Sequence, residues 1–166
     1  MTKKITQAPK SVKNLIVISD THSGCRLALV PPEPLQLDMG GAYTWSPFQE
    51  KMWGLWREFW DKWVPEVTRH EPYDLVHNGD ALEGCHHGST TQISHNMEDQ
   101  QKIAEAVLRP VVDKCKAQGG TYYHIRGTEA HVGQSGEYEE RLARSLGAKP
   151  NEVGQYARFD LLEARG

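Results

Sequence analysis

Three short polar clusters carry the residues best suited to chemistry: Asp20-Thr21-His22, Gly79-Asp80 and Gly127-Thr128-Glu129-Ala130-His131. Carboxylates and imidazoles bind divalent cations, and they also move protons. Unpaired carboxylates crowded into a small volume repel one another, and a bound cation removes that repulsion. A mixed carboxylate–imidazole set suits Mn, Fe or Zn better than Ca or Mg. Asp20, His22, Asp80 and Glu129 are therefore the candidate ligands, and His131 is a candidate general acid or a further ligand. A fourth segment, Gly84-Cys85-His86-His87-Gly88-Ser89-Thr90-Thr91, sets imidazole and hydroxyl groups on a glycine frame. His86 and His87 are its candidate contacts to a substrate phosphate. Taken singly, each residue has a plainer reading: Asp20 as a turn residue, His22 or His131 as a surface histidine, Glu129 as a helix cap.

The order of elements gives the clusters their meaning. Leu15-Ile16-Val17-Ile18-Ser19 is a β-branched run suited to a central strand buried on both faces. A loop with several prolines and Gly40-Gly41 follows. Ser46-Pro47 opens a helix to about Thr68, with Phe48, Met52, Leu55, Trp56, Phe59 and Trp63 on one apolar face, widened by Trp53 and Trp60. Tyr73–His77 is a second strand, 96–118 a second helix stopped by Gly119-Gly120, and Thr121–Ile125 a third strand. A short helix over 137–146 and a strand over 155–163 complete the pattern. Alternating strands and helices predict an α/β layered domain with a largely parallel sheet. Each chemical cluster directly follows a strand. In open α/β sheets, ligands bind beyond the carboxyl ends of the strands, so the three clusters should converge.

The chain has 166 residues, which fits one domain spanning 1–166. A formal net charge of −3 gives no global basic field for nucleic acid. Cys25, Cys85 and Cys115 are odd in number and widely spaced, so no disulfide framework is expected and a cytoplasmic setting fits best. No apolar run is long enough for a signal peptide or a membrane span.

With its motifs laid out, the chain resembles the calcineurin-like metallophosphoesterases, in a phage or prophage branch. Asp20-Thr21-His22 and Gly79-Asp80 match that family's first two motifs. The resemblance implies an α-β-β-α sandwich, two divalent metal ions (Mn, Fe or Zn), Asp20 and His22 on one ion and Asp80 bridging both. It also implies hydrolysis of a phosphoester, nucleic acid or nucleotide included, by a hydroxide generated at the ions. In the third motif Gly127 matches, but Thr128 stands where the family has an Asn ligand and Glu129 where it has a catalytic His. The family's last two histidine segments have no counterpart. The expectation is a truncated domain, as a homo-oligomer or with another chain supplying the missing histidines. The reading from another class is a binding or scaffold module that keeps the fold and has lost the chemistry.

Overall fold

The computed structural model describes residues 12–86, 88–132 and 136–150. His87 and the strand expected over 155–163 lie outside them. Strands β1 (Asn14–Ile18), β4 (Tyr73–Asn78) and β5 (Tyr122–Ile125) form a parallel three-stranded sheet in the order β1-β4-β5. Two-residue strands β2 (Leu35–Gln36) and β3 (Ala42–Tyr43) pair antiparallel inside the long loop. Helices are α1 (Pro47–Glu58), α2 (Val64–Val67), α3 (Met97–Ala117), α4 (Glu129–Val132) and α5 (Glu137–Ser145). The chain is thus mixed α/β, with helices around a small parallel sheet. No helix among the described residues is long and apolar enough to cross a membrane.

Helix α3 covers one face of the sheet. Ile103, Ala104, Val107, Leu108, Val111, Val112 and Cys115 are buried at helical spacing, against Ile16, Leu75 and Tyr122 of the sheet and Leu142 and Leu146 of the α5 region. Burying a Leu, Ile or Val contributes about 1.5–3 kcal/mol, so this stripe is a main source of stability. The Asn96 side chain caps α3 by accepting from the Glu98 amide, 2.9 Å away.

Two expectations need correction. First, β1 is not the central strand of the described sheet; β4 is. Ile16 is buried, but Leu15 and Val17 are 59% and 55% exposed, because they point to the sheet face opposite Ile16. A run of β-branched residues cannot by itself distinguish an edge strand from a central one. Second, the aromatic helix buries its expected face only in part: Met52, Trp53, Trp56 and Phe59 pack partly buried against the core. It starts as predicted, with Ser46 and Gln49 forming a capping box and Pro47 in the first turn. A π-helical segment, Phe59–Trp63, then joins α1 to α2. The wider turn rotates the register. Trp60 and Val64 turn inward, Trp60 against Tyr73 with ring centroids 6.3 Å apart. Phe48, Leu55 and Trp63 remain about half exposed.

Candidate metal centre

The site begins where β1 and β4 end. Their parallel pairing runs in register from Asn14↔Tyr73 to Ile18↔His77 and continues past both strands. The amide of Asp20 donates to the Gly79 carbonyl at 3.1 Å and that of His22 to the Asp80 carbonyl at 3.1 Å. Ser23 donates to Ala81 at 2.8 Å, and Glu83 donates back to Ser23 at 3.0 Å. The first and second motifs are zipped together by these backbone bonds, with the Thr21 hydroxyl also donating to the Ala81 carbonyl at 3.3 Å, which brings Asp20, His22, Asp80 and Glu83 to one edge.

That zipper bends sharply. Asp20, His22 and Asp80 all adopt left-handed backbone angles, with φ of 54°, 41° and 52°. Side chains other than Gly seldom occupy this region, and such residues cluster where geometry serves function. The third motif closes on the second. The Thr128 amide donates to Oδ1 of Asp80 at 2.7 Å, and the Thr128 hydroxyl reaches the same oxygen at 3.2 Å. Gly127 is required here, since a Cβ would collide with Asp80's backbone nitrogen and Oδ1. Gly84 (φ 72°) plays the same part on the other side, where a Cβ would strike the His131 backbone.

Two groups of donor atoms result, each within 4.8 Å: Asp20, His22 and Asp80, then His22, Glu83 and His131. His22 belongs to both. Its Nε2 lies 3.7 Å from Asp20 Oδ1 and its Nδ1 lies 3.1 Å from Glu83 Oε2. Nδ1 is enclosed and makes no directed hydrogen bond. Nδ1 of His131 is 2.6 Å from the Glu83 carbonyl oxygen, which can only accept. Nδ1 therefore carries the proton and Nε2 keeps a lone pair, the state in which metal-binding histidines are held by a backbone carbonyl. His86 stands beside the second group, with Nε2 3.6 Å from Glu83 Oε1 and its ring edge-on to His131 at 4.4 Å.

Of the residues singled out from sequence, the structure brings together Asp20, His22, Asp80, His131 and His86. Glu129 is exposed at the start of α4 and falls in neither donor group. Glu83 was missed. It is 6% exposed and central to the second group, and its only sequence signal is an acidic residue three positions after Asp80.

Behind the ligands lies a buried polar layer. The Glu139 carboxylate, 0% exposed, accepts the Ala81 amide at 2.6 Å through Oε1 and the Gly127 amide through Oε2. It thus holds the second and third motifs from below. Burial alone would raise its pKa, but the His124 imidazole and these two amides outweigh it, and the pKa is lowered. His77 and His124 stack with centroids 5.1 Å apart. Nε2 of His77 and the Thr21 hydroxyl share a 2.9 Å hydrogen bond, directly between Asp20 and His22. Burial, with the neighbouring His124, pushes the His77 pKa down to about 3, partly offset by Glu139.

A cleft of about 520 Å³ opens over the second donor group, lined by the polar residues Asp20, His22, Glu83, His86 and His131 and by the apolar residues Leu27, Leu29, Met52 and Trp56. A smaller hollow of about 280 Å³ borders Asp20, Asp80, Arg126 and Thr128. No family model, no curated protein and no solved structure matches this chain.

Proposed function

We propose that the protein is a metal-dependent phosphoester hydrolase of the kind the calcineurin-like resemblance implies, with a two-ion centre in which Asp80 serves one ion rather than bridging both, completing an α-β-β-α sandwich. The observation that carries this reading is the pair of donor groups sharing His22, held at the carboxyl ends of parallel strands by three residues with left-handed backbone. The donor chemistry fits divalent Mn, Fe or Zn: carboxylate oxygens and neutral imidazoles, with one imidazole tautomer fixed by a carbonyl.

A neutral imidazole has one lone pair, so His22 serves one ion at a time. Giving Nε2 to Asp20 and Asp80 leaves the Nδ1 proton facing Glu83 Oε2, so Glu83 orients His22. Glu83 Oε1 and His131 Nε2 then remain for the second ion. Two bound ions supply Lewis-acid charge at the phosphoryl oxygens and acidify water near neutral pH. The protein's own part is to fix these donors, to cover the cleft with apolar side chains, and to place His86 at its wall, where it meets the substrate phosphate.

The test is metal counting with turnover. The purified chain should take up about two Mn equivalents and hydrolyse bis(4-nitrophenyl) phosphate, and Asp80→Asn should abolish both. One equivalent or none, with no turnover, would instead support a binding or scaffold module.

A further inference from the structure

We infer, resting on the hydrolase reading above, that the substrate is a small phosphoester whose organic part is apolar and aromatic, and not a polynucleotide. The cleft has two chemically distinct linings. Asp20, His22, Glu83, His86 and His131 supply its polar lining with the candidate metal donors, and Leu27, Leu29, Met52 and Trp56 supply its apolar lining. Its volume of about 520 Å³ falls within the range of small-molecule sites. The apolar lining does not stop at the cleft. Leu29, Met52 and Trp56 also line an adjoining groove of about 390 Å³ with Val17, Ile18, Leu55 and Phe59.

Trp56 is braced rather than loose. Its ring is edge-on to Trp60 at 5.4 Å and parallel to Phe59 at 6.5 Å. A fixed, partly exposed indole beside the proposed phosphate-binding centre is a surface on which an aromatic ring can stack.

The charges argue against a nucleic-acid strand. Among the described residues, no Lys or Arg lines the cleft or the adjoining groove. Polynucleotides are held largely by cations that neutralise successive phosphates. Arg26 directs its Nε to the Gln92 carbonyl at 3.2 Å, and Arg126, beside Asp80, pairs with Glu140 at 3.2 Å. The ions would hold one phosphate, and the next phosphate of a strand would meet leucine, methionine and tryptophan.

The test uses phosphonates, which cannot be hydrolysed, so leaving-group reactivity does not enter. The full chain, loaded with Mn, is titrated with benzylphosphonate, methylphosphonate and a twelve-nucleotide single strand, and binding is read by calorimetry. Benzylphosphonate should bind about five- to tenfold tighter than methylphosphonate. That ratio should collapse to about one in Trp56→Ala and persist in Trp56→Phe, with far-ultraviolet circular dichroism confirming that both variants fold. Equal affinities, a ratio unchanged in Trp56→Ala, or tightest binding by the oligonucleotide overturns the inference, while the hydrolase reading stands on Mn uptake. Absence of Mn uptake overturns both.

Discussion

The backbone amide of Thr128 donates to Oδ1 of Asp80 at 2.7 Å, so the third motif acts on the second before any ion is considered. With Oδ1 fixed by the amide and the hydroxyl, the carboxylate has one orientation. The resemblance would make position 128 a ligand through an Asn side chain; in this chain the residue at 128 instead orients Asp80, a candidate donor. Since the amide contact survives truncation, Thr128→Ala should weaken Mn binding by less than about fivefold, the cost of one weak hydrogen bond. Titration calorimetry reads this directly. A loss beyond about a hundredfold would mean that the hydroxyl itself is a ligand.

The two glutamates near the site should separate cleanly. Glu83 is buried against His22 and His131, whereas Glu129 is exposed and outside both donor groups. Glu83→Gln should lower metal affinity about 10- to 100-fold, as loss of an orienting or ligating carboxylate does. Glu129→Gln should change it less than twofold. The reverse ranking, measured by competition with a chelating dye, would return the ligand role to Glu129.

Glu139 should matter for folding more than any exposed charge. Its carboxylate joins Ala81 and Gly127, and Glu139→Gln presents an amide NH₂ to one of two N–H donors. The cost should be about 2–4 kcal/mol, the range for breaking a buried charged contact. Because its folded pKa is lowered, its contribution is fully present above the ordinary glutamate value of 4.5 and is lost as pH falls through the folded value. Urea midpoints against pH should therefore show a shallower acid limb in Glu139→Gln. An identical limb would mean that Glu139 titrates alike in both states.

His77 sets a second, higher window. The unfolded chain binds a proton near pH 6.5, the buried imidazole only near pH 3. Stability from this group is present above pH 6.5 and declines as pH falls toward 3, by at most about 1.4 kcal/mol per pH unit. Imidazole nitrogen shifts should show His77 neutral at pH 5. A charged His77 at that pH in the folded protein would contradict the burial argument.

Much of this was legible in the sequence, for physical reasons. Asp20, His22 and Asp80 could be picked out because strand ends in a parallel sheet place short polar clusters together. Glu83 could not, because its position depends on Ser23 taking its amide, a contact 60 residues apart in sequence. The tryptophan helix was legible in part: Met52, Trp53, Trp56, Phe59 and Trp60 pack on the core, but helical spacing assumes 3.6 residues per turn, and the π segment at Phe59–Trp63 breaks that assumption and leaves Trp63 exposed. Glu139 and the His77–His124 stack were invisible because a helix position or a strand histidine says nothing about which backbone amides it will meet.

Anomalous diffraction from Mn-loaded crystals at the Mn absorption edge reads the proposed two-ion centre directly, and two peaks are expected, one contacted by Asp20, His22 Nε2 and Asp80, the other by Glu83 and His131. No peak at these donors in Mn-saturated crystals would contradict it, as would ions bound only elsewhere.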